Sequence, residues 1–207
     1  MAGIRWCRSV ATTHNASGTL YRLHAKELAE AEQRVQDAPE KLGGAGNLEL
    51  LYDLCEELEA QRVIETGVAY GWSSLAILCS ITKRHGHLWS TDLPYTYLHA
   101  DQVVGIAVPA RFRSSWTLLR GADAERVPHA LADAGTIDLA HYDSDKSLEG
   151  MRRTSHLLFE ALRPGGILIV DDAGDHLGFQ ELAWTLGLKP VVISHQGKYQ
   201  GILRKPS

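Results

Sequence analysis

The sequence predicts an α/β fold built on a doubly wound, mostly parallel sheet, and three observations predict it. Beyond Ala60, short β-like runs at 62–66, 87–91, 116–119, 137–142 and 166–170 alternate with helical stretches near 72–84, 95–106, 124–134, 147–162 and 177–186. Strand followed by helix, repeated, implies right-handed crossovers and a sheet covered on both faces. Glycines and acids then recur where the runs end, and in such sheets ligands bind beyond the carboxyl ends of the strands. The tail breaks the rhythm: 190–194 and 199–204 are joined by His195-Gln196-Gly197-Lys198 and read as a hairpin that adds antiparallel pairing at the sheet edge.

The segment before the sheet reads as a separate helical extension or lid over 1–46, with the α/β domain over 47–207. Leu20, Leu23, Leu28, Ala31 and Val35 recur at helical spacing and stop at Asp37-Ala38-Pro39. The run Gly43-Gly44-Ala45-Gly46 reads as a hinge, after which Asn47 is placed to cap a helix carrying Leu48, Leu51, Cys55 and Leu58 on one face.

Composition narrows the function classes. A chain of 207 residues, 44% hydrophobic, suits one compact domain with a short appendage. Lys plus Arg total 21 against 25 Asp plus Glu, a net charge of −4 that argues against nucleic acid as partner. No run reaches the ~18 apolar residues of a spanning helix, and the opening residues are too polar for a signal peptide, so neither a membrane nor a secretory route is expected. The three cysteines, Cys7, Cys55 and Cys79, stand singly among apolar residues and suit a reducing cytoplasm. The sequence is equally compatible with a monomer and with a homo-oligomer.

The first strand end carries the first binding signal. In VIETGVAYGWSS, Glu65 ends a strand, Gly67 lies in the turn, and Gly71 and Ser73 open a helix, where small residues let backbone amides approach a ligand. The plainer alternative is a tight turn. Asp92, in LWSTDLP, ends the next strand where nucleotide-binding folds place an acid on ribose hydroxyls, with a solvated loop aspartate as the alternative. Asp123, in LLRGADAE, is suited either to an adenine amino group or to capping the following helix. The fingerprint GxGxxG is missing from the first turn, which weighs against nicotinamide and flavin chemistry.

The second signal lies at the next two strand ends, IDLAHYDSDKS and GILIVDDAGDH. Neighbouring strands run ~4.8 Å apart, so Asp143, Asp171 and Asp172 are expected to gather, an unfavourable concentration of charge unless a cation sits among them. Oxygen ligands without a cysteine pair or a histidine cluster point to Mg²⁺, or another divalent ion such as Mn²⁺ or Ca²⁺, rather than to zinc. The alternative is that the acids only cap strand and helix ends. His141 reads as structural, and the ten histidines are otherwise scattered without paired spacing.

Together ExGxxxGxS, the later acid and LRPGG before the fifth strand resemble the class I S-adenosylmethionine-dependent methyltransferases, in particular the small metal-dependent O-methyltransferases acting on catechols and caffeoyl thioesters. The resemblance spans roughly 48–205 and implies a Rossmann-like, seven-stranded sheet in the order 3-2-1-4-5-7-6, with strand seven antiparallel. It implies that Glu65, Gly67 and Ser73 lie near the methionine part of S-adenosyl-L-methionine, Asp92 on the ribose and Asp123 near adenine; Gly71, Trp72 and Asp143 are counted with the cofactor site by position, Trp72 with a wall of the substrate pocket or core packing as its alternatives. It also strengthens the assignment of Asp143, Asp171 and Asp172 to a divalent metal. Asp143-Ser144-Asp145-Lys146 fits the D-x-x-K of that group, whereas Asp172 stands where its members carry asparagine. The closing Asp-Asp pair and the D-x-D of Asp143-Ser144-Asp145 resemble instead the sugar O-methyltransferases of macrolide and aminocoumarin pathways.

The general base is accordingly Lys146 by the first likeness and Asp145 by the second, with His176 a third candidate on position alone. The expected activity is methyl transfer from S-adenosylmethionine to the hydroxyl of a small molecule, assisted by a divalent metal that lowers the hydroxyl pKa and, as a neighbouring cation, that of Lys146. A metal-independent methyltransferase, a nicotinamide oxidoreductase and a noncatalytic binding module are the rival readings.

Overall fold

The computed structural model describes residues 2–95 and 99–207. Five parallel strands form its centre: β2 (Arg62–Thr66), β3 (His87–Asp92), β4 (Trp116–Arg120), β5 (Ile137–Tyr142) and β6 (Leu162–Val170). The terminal hairpin, β7 (Val191–His195) and β8 (Lys198–Arg204), inserts β8 antiparallel beside β6. With a short strand β1 (Ala11–Thr12) at one edge, the resulting order is β1-β7-β8-β6-β5-β2-β3-β4. From β4 to β7 this is the expected seven-strand arrangement. The eighth strand was not expected: β1 (Ala11–Thr12) pairs parallel with Val192 and Ile193 of β7 on the outer edge.

Helices cover both faces because successive strand residues alternate sides. On one face α4 (Leu48–Glu57) and α5 (Trp72–Ile81) pack over Val63, Leu88, Leu139, Ile167 and Ile169. α5 is buried along almost its whole length, which its unbroken run WSSLAILCSI allows without a polar stripe. On the other face α6 (Asp123–Ala134), α7 (Leu148–Ala161) and α8 (Gly178–Thr185) pack over Ile64, Ala140, Tyr142, Leu168 and Val170. Asn47 caps α4 as expected, its side chain accepting from the Leu50 amide at 3.3 Å, and Ser147 caps α7 by accepting from Gly150 at 3.0 Å.

The N-terminal region differs in detail from the sequence expectation. A first helix, α1 (Ala2–Val10), lies against the second face through buried Cys7. The helix expected over 19–35 is two helices, α2 (Thr19–Leu23) and α3 (Ala25–Gln36), because His24 leaves the helical region at φ −120°, ψ 27°. The helical stretch expected at 95–106 falls partly outside the described residues, and within them it is a single 3₁₀ turn at His99–Gln102. Among the described residues no helix is long and apolar enough to cross a membrane.

Candidate active site

A cavity of about 430 Å³ opens beyond the carboxyl ends of β2, β3 and β5, in the range of small-molecule and cofactor sites. Its walls include the turn Gly67–Tyr70, Trp72 and Ser73 at the start of α5, Asp92, Asp123, and the strand-end residues His141, Asp143 and Asp171. The glycines of 43–46 and Asn47, legible in the sequence only as hinge and cap, form part of the same wall.

The first turn is shaped by close packing between strands. Gly67 has φ +80°, and a Cβ there would stand 2.1 Å from the Asp143 carbonyl oxygen. Glycine is thus imposed by the passage of the β5 loop as well as by any ligand. Gly71, at φ +85°, starts α5 and lies behind the wall, where a Cβ would meet the Gly105 backbone at 3.0 Å. Ser73 and Trp72 reach the cavity.

Glu65 does not reach the cavity. It is fully buried, and its Oε2 accepts from the hydroxyls of Ser74 and of Ser90, the latter at 2.8 Å. Its Oε1 has no hydrogen-bond partner among the described residues and faces His141 Nδ1 at 3.6 Å. The register explains the meeting, since Glu65 and His141 are direct partners across the β2–β5 ladder.

Asp92 and Asp123 line the cavity, and both are already engaged. Asp92 Oδ2 accepts from the amides of Val68 at 2.7 Å and Ala69 at 3.0 Å, so the acid fixes the first turn. Its Oδ1 pairs with Arg120, which also reaches Asp101. Asp123 makes no capping bond in α6; it accepts from Thr91 Oγ1 at 2.9 Å and from the Ser144 hydroxyl. This ties the ends of β3 and β5 together.

The gathering of acids at β5 and β6 is partly as expected. His141, Asp143 and Asp171 each offer one ligand atom within 4.8 Å of the others. Asp172 is not among them, which corrects the expectation of three converging aspartates. In extended chain consecutive side chains point to opposite faces, so 171 continues the face of Ile169 and His141 while 172 turns away, its backbone at φ +53°. Asp172 is there held by Lys146 Nζ at 2.9 Å and Lys198 Nζ at 3.0 Å. The same alternation puts His141 and Asp143, two positions apart, on one face. That spacing was the available signal for His141, which the apolar run around it masked.

Charge in the cluster is distributed unevenly. Burial and the neighbouring Asp171 carboxylate hold Asp143 above the usual carboxylate range. Burial acts on Asp171 in the same sense, but His141 and the Gln200 amide, 2.6 Å from Oδ1, bring it below. Burial alone would depress His141; Asp171 and Glu65 reverse this and push it up to about 10. Asp172 is lowered against its burial by Lys146 and Lys198. Lys146 bonds both Asp143 and Asp172, and although burial lowers its pKa, the two carboxylates outweigh this and raise it.

The other two base candidates are separated. Asp145 is exposed at the boundary between the large cavity and a small one behind it, with Oδ1 accepting from the Ser147 amide at 2.9 Å. His176 borders only the small cavity, and its Nδ1 accepts from the Gly178 amide at 3.1 Å. The three cysteines are buried and lie away from the cavity wall.

A polar cluster at the carboxyl end of a doubly wound sheet, opening on a cavity of cofactor size, lies where such folds bind their ligands. The comparisons name the class. A family described as a methyltransferase domain matches residues 64–173, more than half of the chain. The chain belongs to that methyltransferase family, and its class, the class I S-adenosylmethionine-dependent methyltransferases, is the one expected from the sequence. No curated protein matches it in sequence.

Solved structures share the fold. Cofactor-bound Rv0187 from MTB is 18% identical with a TM-score of 0.65, over 90% of this chain and 91% of that one. The O-methyltransferase TomG from Streptomyces achromogenes, involved in tomaymycin synthesis and solved with S-adenosylmethionine, is 16% identical with a TM-score of 0.63, over 99% and 96%. An O-methyltransferase from Bacillus cereus, in complex with S-adenosylhomocysteine, is 12% identical with a TM-score of 0.62, over 99% and 96%.

Proposed function

We propose that the protein transfers a methyl group from S-adenosylmethionine to a hydroxyl oxygen of a small molecule, with a divalent cation held at the ends of β5 and β6. The observation that carries this is the composition of one cavity wall: the Gly67–Ser73 turn with Asp92 and Asp123 along one stretch, and His141, Asp143 and Asp171 along the next. The fold likeness to TomG and to the Bacillus cereus O-methyltransferase supports the oxygen acceptor. Among the described residues neither ring nitrogen of buried His141 has a hydrogen-bond partner, and this supports the cation, because polar atoms without partners are costly in a finished site.

When bound, the cofactor supplies an electrophilic methyl and a divalent ion supplies Lewis acidity toward a coordinated hydroxyl. The chain's own part is to bind, orient and move a proton. Asp92, fixed by the Val68 and Ala69 amides, presents its edge to the cavity for ribose hydroxyls, and Asp123, fixed by Thr91, does so for adenine. Trp72 and Tyr95 wall the reacting region and exclude water. Lys146 is the proposed base. It becomes a proton acceptor only when its ammonium leaves Asp143, so Asp145, exposed at the cavity boundary, is the second candidate. Residues 1–46 are proposed as an extension whose glycine run completes the acceptor side.

A second reading is favoured by the Lys146 pairings: this ammonium already neutralises Asp143 and Asp172, as it would in a metal-independent enzyme. Calorimetry with S-adenosylhomocysteine and a panel of catechols, sugars and hydroxyacyl thioesters, with and without excess chelator, tests both. Saturable S-adenosylhomocysteine binding with chelator-sensitive methylation of an oxygen is expected. Full turnover in chelator selects the second reading, and absence of S-adenosylhomocysteine binding refutes both.

A further inference from the structure

Resting on the metal-assisted reading above, we infer that the ion site is a mixed nitrogen–oxygen site, formed by His141 Nε2, Asp143 and Asp171 with Glu65 orienting the imidazole. Such a site takes a first-row transition ion such as Mn²⁺, Fe²⁺, Co²⁺ or Zn²⁺ in preference to Mg²⁺. The ligand set excludes Asp172, whose carboxylate is held by Lys146 and Lys198.

His141 is 1% exposed, lines the cavity, and among the described residues neither ring nitrogen has a hydrogen-bond partner. Nε2 lies 3.8 Å from Asp171 Oδ2, and Nδ1 lies 3.6 Å from Glu65 Oε1. Ligand atoms about an ion at ~2.1 Å stand roughly 3 to 4.2 Å apart; the Nε2 to Oδ2 gap of 3.8 Å falls in that range, and with Asp143 the three ligand atoms lie within 4.8 Å, a spread that closes slightly on an ion. The gap is too long for a good hydrogen bond.

Each ligand has a support behind it. Ser74 and Ser90 occupy Glu65 Oε2 and leave Oε1 toward the ring; Gln200 occupies Asp171 Oδ1 and leaves Oδ2 toward Nε2. A carboxylate hydrogen-bonded to the distal nitrogen fixes tautomer and ring orientation in metal-bound histidine, and Glu65 Oε1, 3.6 Å from Nδ1, needs a small approach to make that bond. Imidazole nitrogen suits Zn²⁺, Fe²⁺ and Co²⁺, whereas Mg²⁺ favours an all-oxygen shell with several waters. The donor set therefore discriminates against the ion that carboxylates alone would select.

The test uses the full chain freed of metal and titrated with Mn²⁺ or Co²⁺ alone, with S-adenosylhomocysteine affinity measured in the same samples. Pulsed EPR of the Mn²⁺ form should show coupling to a ¹⁴N nucleus, and Mg²⁺ should displace Co²⁺ only at about tenfold or greater excess. His141→Gln should abolish the ¹⁴N coupling. Glu65→Gln should weaken Co²⁺ binding about 10- to 100-fold with the coupling retained, and Asp172→Asn should leave both within about threefold. Circular dichroism identifies any variant that fails to fold, and the wild-type EPR spectrum decides the matter without a variant. Mn²⁺ bound without ¹⁴N coupling, or Co²⁺ binding lost in Asp172→Asn and kept in His141→Gln, overturns the inference while leaving metal assistance intact. Absence of any ion binding to folded wild type overturns this inference and metal assistance, whereas retained S-adenosylhomocysteine binding keeps the methyltransferase class.

Discussion

Replacing Gly67 with alanine strikes the turn where the cavity wall and the sheet meet. Two costs add. At φ +80° an L-residue is disfavoured by roughly 1–2 kcal/mol. The new Cβ would also stand 2.1 Å from the Asp143 carbonyl, a backbone atom anchored by the bond from the Asp143 amide to the Thr66 carbonyl at 2.9 Å. Forcing such an overlap apart typically costs 1–3 kcal/mol, so Gly67→Ala should lose about 3 kcal/mol in all. For a chain of this size that is a fall in Tm of about 6–12 °C. Displacing the 143 backbone also moves a proposed ion ligand, so S-adenosylhomocysteine and Co²⁺ should both bind more weakly. Differential scanning calorimetry and titration calorimetry on the same variant read the two effects. A Tm within about 1 °C of wild type would refute the packing argument.

Asp92→Asn should weaken S-adenosylhomocysteine at least about tenfold, because hydrogen bonds to a charged group are worth about 1.5–3 kcal/mol, the Val68 and Ala69 amides then face an uncharged oxygen, and the new NH2 is turned toward Arg120; unchanged affinity by calorimetry would remove Asp92 from the cofactor site. Away from the cavity, Asp138 accepts from the Gln61 and Arg62 amides at 2.9 Å and from Arg163 Nε at 2.6 Å, which together hold its pKa low against its burial. A depressed folded pKa contributes stability that is complete above the unfolded value of about 3.9 and is lost as pH falls through the folded one. Asp138→Asn should therefore cost about 2 kcal/mol in denaturant melts at pH 7 and much less near pH 2.5; a pH-independent difference would show that the charge is not what stabilises.

The strands were legible because their side-chain alternation and apolar content are dictated locally: 62–66 and 137–142 match β2 and β5 residue for residue. Strand β1 was not, since two residues carry no periodicity and its pairing with β7 is decided by chain ends far apart in sequence. The helix break at His24 was hidden for the opposite reason, because apolar spacing continues on both sides of it and only the backbone at one residue departs. At the site, the strand ends themselves announced Asp92, Asp123, Asp143 and Asp171 as residues of the cavity wall. Glu65 is a residue whose type suggested a ligand contact but whose depth turns it toward His141. His141 was obscured because a histidine within an apolar run reads as packing until the ladder register shows what stands opposite.

The peptide link between Asp171 and Asp172 is a partition between two chambers. One acid answers to the cavity and its imidazole, and the other to a pair of surface ammonium groups. Adjacent letters thus report on different rooms, and the door between them is Lys146, whose ammonium bonds Asp143 on one side and Asp172 on the other.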